Sequence, residues 1–152
     1  MFVIAIITMI GTAMAQAAND GRFIVYKANE TVLDTKTNLM WAAKDNGSDI
    51  SWTNAKVYCE SYNGGGYTDW RMPTKQELAS LYDEKKTRQA PCIETFSIHV
   101  ATEAIASTCF ATWTSETRGP DASQFNFAYG APSWYLQSHS YGTRALPVRV
   151  NK

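Results

Sequence analysis

Short apolar runs set off by turn residues stand on either side of a middle stretch in which apolar positions recur at helical spacing. After Asp20-Gly21, residues 22–26 and 31–34 are rich in β-branched and aromatic side chains and predict short strands, with Lys36-Thr37-Asn38 turning the chain before Leu39-Met40-Trp41. Beyond Ser51, placed as a helix cap, Trp52, Ala55, Tyr58/Cys59 and Tyr62 recur at three-to-four spacing until Asn63-Gly64-Gly65-Gly66 stops the pattern. Pro73 precedes Thr74-Lys75-Gln76-Glu77, a capping box that predicts a second helix. Leu78, Leu81 and Tyr82 mark its inner side, and Asp83, Glu84, Lys85, Lys86 and Arg88 its solvated end. Strands return at 110–114, 124–129, 133–136 and 144–150, and Phe125, Phe127 and Tyr129 alternate as a half-buried strand requires. Strands, two helices and strands again make an α+β domain rather than an alternating βαβ sheet.

With 152 residues, 45% hydrophobic and 18% charged, the chain suits one core and excludes disorder, collagen and coiled coil. Fourteen basic and fourteen acidic residues cancel, so nucleic acid and anionic lipid meet no attracting field. Residues 1–15 contain no charged side chain and end in Ala13-Met14-Ala15, the small-x-small pattern at which a signal peptide is cut. Cleavage leaves residues 16–152 as a single domain that is secreted, periplasmic or on the cell surface. A retained anchor is the alternative, and membrane contact is then confined to that uncleaved segment.

Signatures of catalysis are missing. Gly64-Gly65-Gly66 follows a helix and lacks the Lys-Ser/Thr of a phosphate loop. His99 and His139 have no Cys, Asp or Glu at ligand spacing, and Asp45, Asp49 and Asp69 fit no calcium loop. No serine occupies a nucleophile elbow. Cys59, Cys92 and Cys109 include no Cys-x-x-Cys pair, which argues against structural zinc. In an oxidising compartment Cys92 and Cys109 would close a loop over residues 93–108, whereas Cys59 reads as a small buried residue of the first helix. The expectation is a protein with no catalytic residue, metal or cofactor.

The segments Trp52-Thr53-Asn54-Ala55, Tyr58-Cys59, Gly66-Tyr67-Thr68-Asp69-Trp70-Arg71-Met72-Pro73-Thr74, Glu77-Leu78, Leu81-Tyr82-Asp83 and Trp113-Thr114-Ser115 resemble the Lcl C-terminal domain family. Leu39-Met40-Trp41 and Val148-Arg149 extend the likeness over residues 21–151. The resemblance implies a C-type-lectin-like fold of the formylglycine-generating-enzyme type. Its two helices would lie against a small twisted antiparallel sheet, with the N- and C-terminal strands paired. It implies an extracellular binding module in place of a catalyst. Trp41, Trp52, Trp70 and Trp113 would be core aromatics, and Asp69 and Arg71 would hold the loop between helices and sheet through buried polar or ionic contacts. Many members carry near the C-terminus a cysteine that bridges to the first helix; Pro147 stands there in this chain. Cys59 so loses its expected partner, which favours the Cys92–Cys109 pairing. The copper-dependent enzymes of the wider fold rely on a cysteine pair that has no counterpart here, and fold alone does not confer their activity.

Between residues 119 and 143 only Asp121 is ionised, and Phe125, Phe127, Tyr129, Trp134, Tyr135 and Tyr141 are interleaved with Ser123, Asn126, Ser133, Ser138 and Ser140. Aromatic rings give contact area at small entropic cost and short polar side chains adapt their hydrogen bonds, as in paratopes. The segment also resembles the variable region of proteins diversified by retroelements, as does Arg144-Ala145-Leu146-Pro147-Val148-Arg149. Phe125, Phe127 and Leu136 are assigned to the core, and Trp134, Tyr135, Gln137, Ser138, His139 and Tyr141 to a ligand-binding surface. The expected function is a secreted or surface-exposed bacterial module that binds a cell-surface protein or glycan. The competing expectation is a structural subunit of an envelope or fimbrial assembly. Neither Glu-Pro-Asn nor Gln-Pro-Asp occurs, so calcium-dependent sugar binding is not expected. Intact mass of the exported protein should correspond to a chain beginning at Gln16; a chain that keeps residues 1–15 favours the anchored subunit.

Overall fold

The computed structural model describes residues 21–152, and the expected leader at 1–15 lies outside them. The fold is α+β, with two helices and small, mainly antiparallel sheets. Strands β1 (Phe23–Tyr26), β2 (Thr31–Asp34) and β3 (Leu39–Ala42) form a meander to which β10 (Val148–Val150) adds next to β3, with Val148 opposite Trp41. The N- and C-terminal strands are therefore paired. Asp34 organises the turn between β2 and β3: its buried carboxylate accepts from Arg22 at 2.7 and 2.6 Å, from Thr37 and from the amide of Lys36. Burial alone would raise its pKa, but the Arg22 and Thr37 hydrogen bonds outweigh that and hold it below the ordinary value.

Helices α1 (Trp52–Ser61) and α2 (Lys75–Ser80) follow. Ser51 precedes α1 in an extended conformation, but its hydroxyl makes no capping bond; the first turn is tied instead by Trp52 N–H donating to the carbonyl of Gln137. The capping box at Thr74 and Glu77 is complete. Between the helices, Arg71 exchanges backbone hydrogen bonds of 2.9 and 3.0 Å with Val148, so the linker joins the open side of β10.

A third set of strands, β6 (Ala111–Arg118), β7 (Asp121–Asn126) and β8 (Ala131–Leu136), forms a second meander, and β9 (Thr143–Arg144) runs parallel beside β6. The larger core gathers Val32, Trp41, Leu78, Leu81, Ile98, Phe125, Phe127, Leu146 and Val148. A smaller one under α1 holds Ala55, Cys59, Met72, Trp113, Ala122 and Ala145. Trp41, Trp70 and Trp113 are buried, whereas Trp52 is half-buried at the rim of the smaller core, where its indole N–H donates to the carbonyl of Thr114 at 2.8 Å.

Several elements depart from the sequence pattern. The charged stretch expected to end the second helix does not continue it: α2 stops at Ser80, and Arg88–Ala90 form β4, paired with β5 (Ile93–Ile98). Asp83 N–H donates to His99 O and Ala101 N–H to Leu81 O, so contacts with a segment far along the chain override the local charge pattern. The strand expected to run to Tyr129 ends at Asn126, whose side chain accepts from Ala128 N–H and whose carbonyl accepts from Gly130 N–H; the turn swings Tyr129 out to 69% exposure. The strand expected over 144–150 is split into β9 and β10, because Pro147 has no N–H to pair and residues 143–144 and 148–150 serve different sheets. Leu136, expected in the core, is exposed at the edge of the last sheet.

A disulfide joins Cys92, in the β4–β5 turn, to Cys109, just before β6, across a sequence separation of 17. A loop of that size contributes about 3 kcal/mol through the unfolded state. Reduction, or the Cys92→Ser/Cys109→Ser double variant, should lower the unfolding free energy by roughly that amount in a denaturant titration with an unchanged native spectrum.

Candidate functional site: the loop after the last sheet

The residues assigned to ligand binding lie on β8 and in the loop that follows it, yet they do not share one surface. In β8, Trp134 stands opposite Ser123 and Tyr135 opposite Ala122, and strand alternation sends their side chains to opposite faces. Trp134 lies on the α2 side, with Arg118 at 4.4 Å and the Lys75 ammonium at 5.2 Å from its ring centroid. Such cation–π contacts occupy its face. Tyr135 lies on the α1 side, 41% exposed, stacked on His139 at 4.6 Å with the rings 23° apart. His139 in turn presents its edge to the buried Trp113.

Gln137 serves the scaffold. Its N–H donates to Pro120 O, its side-chain amide to Gly119 O at 3.3 Å, and its carbonyl accepts from Trp52 N–H at 3.0 Å. Ser138 is exposed. A ring nitrogen of His139 sits 3.1 Å from the carbonyl of Tyr141, and Tyr141 itself is 64% exposed. At the far end of the loop Asp49 accepts from Gly142 N–H at 3.1 Å and from the Arg144 guanidinium at 2.6 Å, while Ile50 N–H donates to Thr143 O. Gly142 has φ +68°, and a Cβ there would come within 2.2 Å of the Phe110 ring, so glycine is required on both counts. Residues 49–52 thus hold the loop at both ends and leave Tyr135, Ser138, His139 and Tyr141 at the surface.

Tyr141 also borders a cleft of about 490 Å³ whose walls include Asp49, Ile93, Arg144 and the Cys92–Cys109 disulfide. Arg144 is buried and donates to Thr108 Oγ1, and Thr108 donates to the Asp45 carboxylate, which fixes the floor. Next to the cleft, Phe96 stacks on Phe110 at 5.1 Å, with Tyr129 and Tyr141 at the two ends of this ring series. Sequence reasoning missed Asp49 and Arg144 as partners, and Ile93 and Phe96 as neighbours of the loop. Asp49 and Arg144 lie 95 positions apart, and no short-range pattern relates them.

Asp69 and Arg71 make the ionic contacts that the family likeness implied, but not as buried groups: Asp69 is exposed and Arg71 half-buried. Asp69 accepts from the buried Arg149 at 2.6 Å, and that hydrogen bond holds its carboxyl below the ordinary pKa. Arg149 also lies 3.8 Å from the Tyr67 ring centroid. Arg71 makes a two-pronged contact of 2.8 and 2.7 Å with Glu77, tying the linker to the capping box. Cys59 is a buried free thiol whose pKa burial, aided by the nearby Glu60 charge, pushes up to about 12. It is protonated at neutral pH and a poor nucleophile. Among the described residues no three His, Cys, Asp or Glu side chains gather as a metal site requires.

A disulfide-stapled α+β domain, with a tethered aromatic loop beside a cleft, is the class of protein these features define. The chain belongs to the Lcl C-terminal domain family, which it matches over residues 30–149. No curated protein matches it. In the native protein Cys59 should resist a thiol reagent at pH 8 and react stoichiometrically only after denaturation; rapid native labelling would contradict its burial.

Proposed function

We propose that the protein is a secreted or surface-exposed, non-catalytic binding module that recognises a cell-surface protein or glycan through Tyr135, Ser138, His139 and Tyr141. The observation that carries this reading is the tethering of the loop by residues 49–52: Trp52 N–H to Gln137 O at one end, and Asp49 to Gly142 and Arg144 at the other. A loop ordered before binding loses little entropy when it binds, and exposed tyrosines supply area with few torsions to freeze. The C-type-lectin-like arrangement implied by the family likeness agrees with ligand recognition by loops rather than by the sheets. Trp134 stands outside this surface, since it faces Lys75 and Arg118 on the other side of β8.

Export also suits the Cys92–Cys109 disulfide, which persists in an oxidising compartment. The competing role, a structural subunit of an envelope or fimbrial assembly, draws on β8, an outer strand with β7 as its single sheet neighbour among the described residues and so open to strand addition.

Labelled protein should bind specific members of glycan and cell-surface panels, unaffected by chelator. Tyr135→Ala/Tyr141→Ala should weaken that binding by about tenfold or more, about 1.4 kcal/mol, with the melting temperature unchanged. Absence of binding by the wild-type protein would favour the structural subunit, and a drop in melting temperature would place the two rings in the fold's support.

A further inference from the structure

A second cleft lies away from the loop and is independent of the role proposed for it. About 560 Å³ in volume, it opens between β1, the start of β4 and residues 100–104. That volume falls within the range of about 300–1,000 Å³ common to small-molecule sites. Its inner wall is apolar: Phe23 and Val100 are buried, and Val25, Ala101 and Ala104 pack against the larger core. Its polar lining is one-sided. Lys27, Lys86 and Arg88 all border it, against Glu103 as the one carboxylate. In a chain of zero formal net charge this concentrates positive charge on one apolar recess.

Arg88 is the half-buried cation of this lining. One guanidinium nitrogen, Nη2, donates to the carbonyl of Ile105 at 2.9 Å, while the buried Nε has no hydrogen-bond partner. No carboxylate lies within ion-pairing distance of Arg88, Lys27 or Lys86 among the described residues. Burial disfavours the charged guanidinium, and the more distant Glu103 and Asp45 offset this in part. A half-buried cation without an ion-pair partner, at the edge of an apolar wall, gains most from a ligand that brings both a negative group and a hydrocarbon body. We infer that this cleft binds a small apolar molecule carrying a carboxylate, with the carboxylate toward Arg88, Lys27 and Lys86 and the apolar body against Val25, Val100 and Ala104.

Octanoate, octanol and octylammonium separate head-group recognition from simple apolar uptake. Titrated into the full-length protein and followed by amide and methyl chemical shifts, octanoate should perturb Val25, Val100 and Ala104 saturably and bind at least tenfold more tightly than either of the others. Lys27→Gln/Lys86→Gln, at two exposed positions, should fold normally and weaken octanoate several-fold; Arg88→Gln should weaken it further. Equal affinity for octanoate and octanol would overturn the inference, as would octanoate shifts confined to the loop at 137–142. Unchanged octanoate binding in the folded double lysine variant and in Arg88→Gln would also overturn it. Neither the Tyr135 nor the Tyr141 substitution should alter octanoate binding, so failure at one site is distinguishable from failure at the other.

Discussion

Every residue from 142 to 149 is buried, and the two four-stranded sheets are joined through this segment. Its first part, β9, lies beside β6; its last, β10, inserts between β3 and the Arg71 backbone, with Ala42 N–H donating to Pro147 O on the way. Buried backbone must find partners, and here each neighbour supplies them: the first sheet, the interhelical linker and the β6 edge. Leu146 and Val148 enter the larger core and Ala145 the smaller, so the same few residues join both apolar clusters. The domain is closed by its own C-terminus, which explains why a short chain with mostly brief strands holds a defined shape.

Charge is used chiefly to lock the joints of this frame. Arg22 meets Asp34 at the first turn, Arg71 meets Glu77 at the start of α2, Arg149 meets Asp69 at the end of β10, and Arg144 meets Asp49 at the loop. Each pair involves an arginine, whose planar fork binds a carboxylate directionally. The Asp-Trp-Arg-x-Pro-Thr run therefore reads as architecture. Asp69 reaches the last strand, Trp70 fills the space over Gly64, whose carbonyl it caps at 3.2 Å, and Arg71 joins the capping box.

The same economy shapes the surface. Residues 49–52 lead into α1 and at the same time hold both ends of the loop that carries His139 and Tyr141 and follows Tyr135 of β8, so the proposed recognition rings rest on the helix N-terminal turn rather than on a free loop. The disulfide borders the cleft beside Tyr141 and tethers the β4–β5 hairpin to the strand entering the last sheet. The second cleft, bounded by β1 and β4, is bordered by Lys27, Lys86 and Arg88, which take no part in these joints.

What the sequence determined by itself is what short-range physics encodes. The first meander, the start of α1, the capping box at Thr74 and Glu77 and the α+β class follow from period, caps and turn residues within windows of a few residues, whereas the burial of Trp41, Trp70 and Trp113 was implied by the family likeness, which also implied it for the half-buried Trp52. The segments that differed are those whose partners lie far along the chain. Residues 83–88 read as a charged helix end, but α2 stops at Ser80 and Arg88–Ala90 pair with β5; Tyr129 reads as a strand residue but leaves the sheet at the Asn126 turn. Strand alternation alone puts Trp134 and Tyr135 on opposite faces, but only the tertiary structure decided which of the two faces α2, because that depends on the register of β8 with β7. Only it brought Asp49 to Arg144, since a contact across 95 positions leaves no trace in any local pattern.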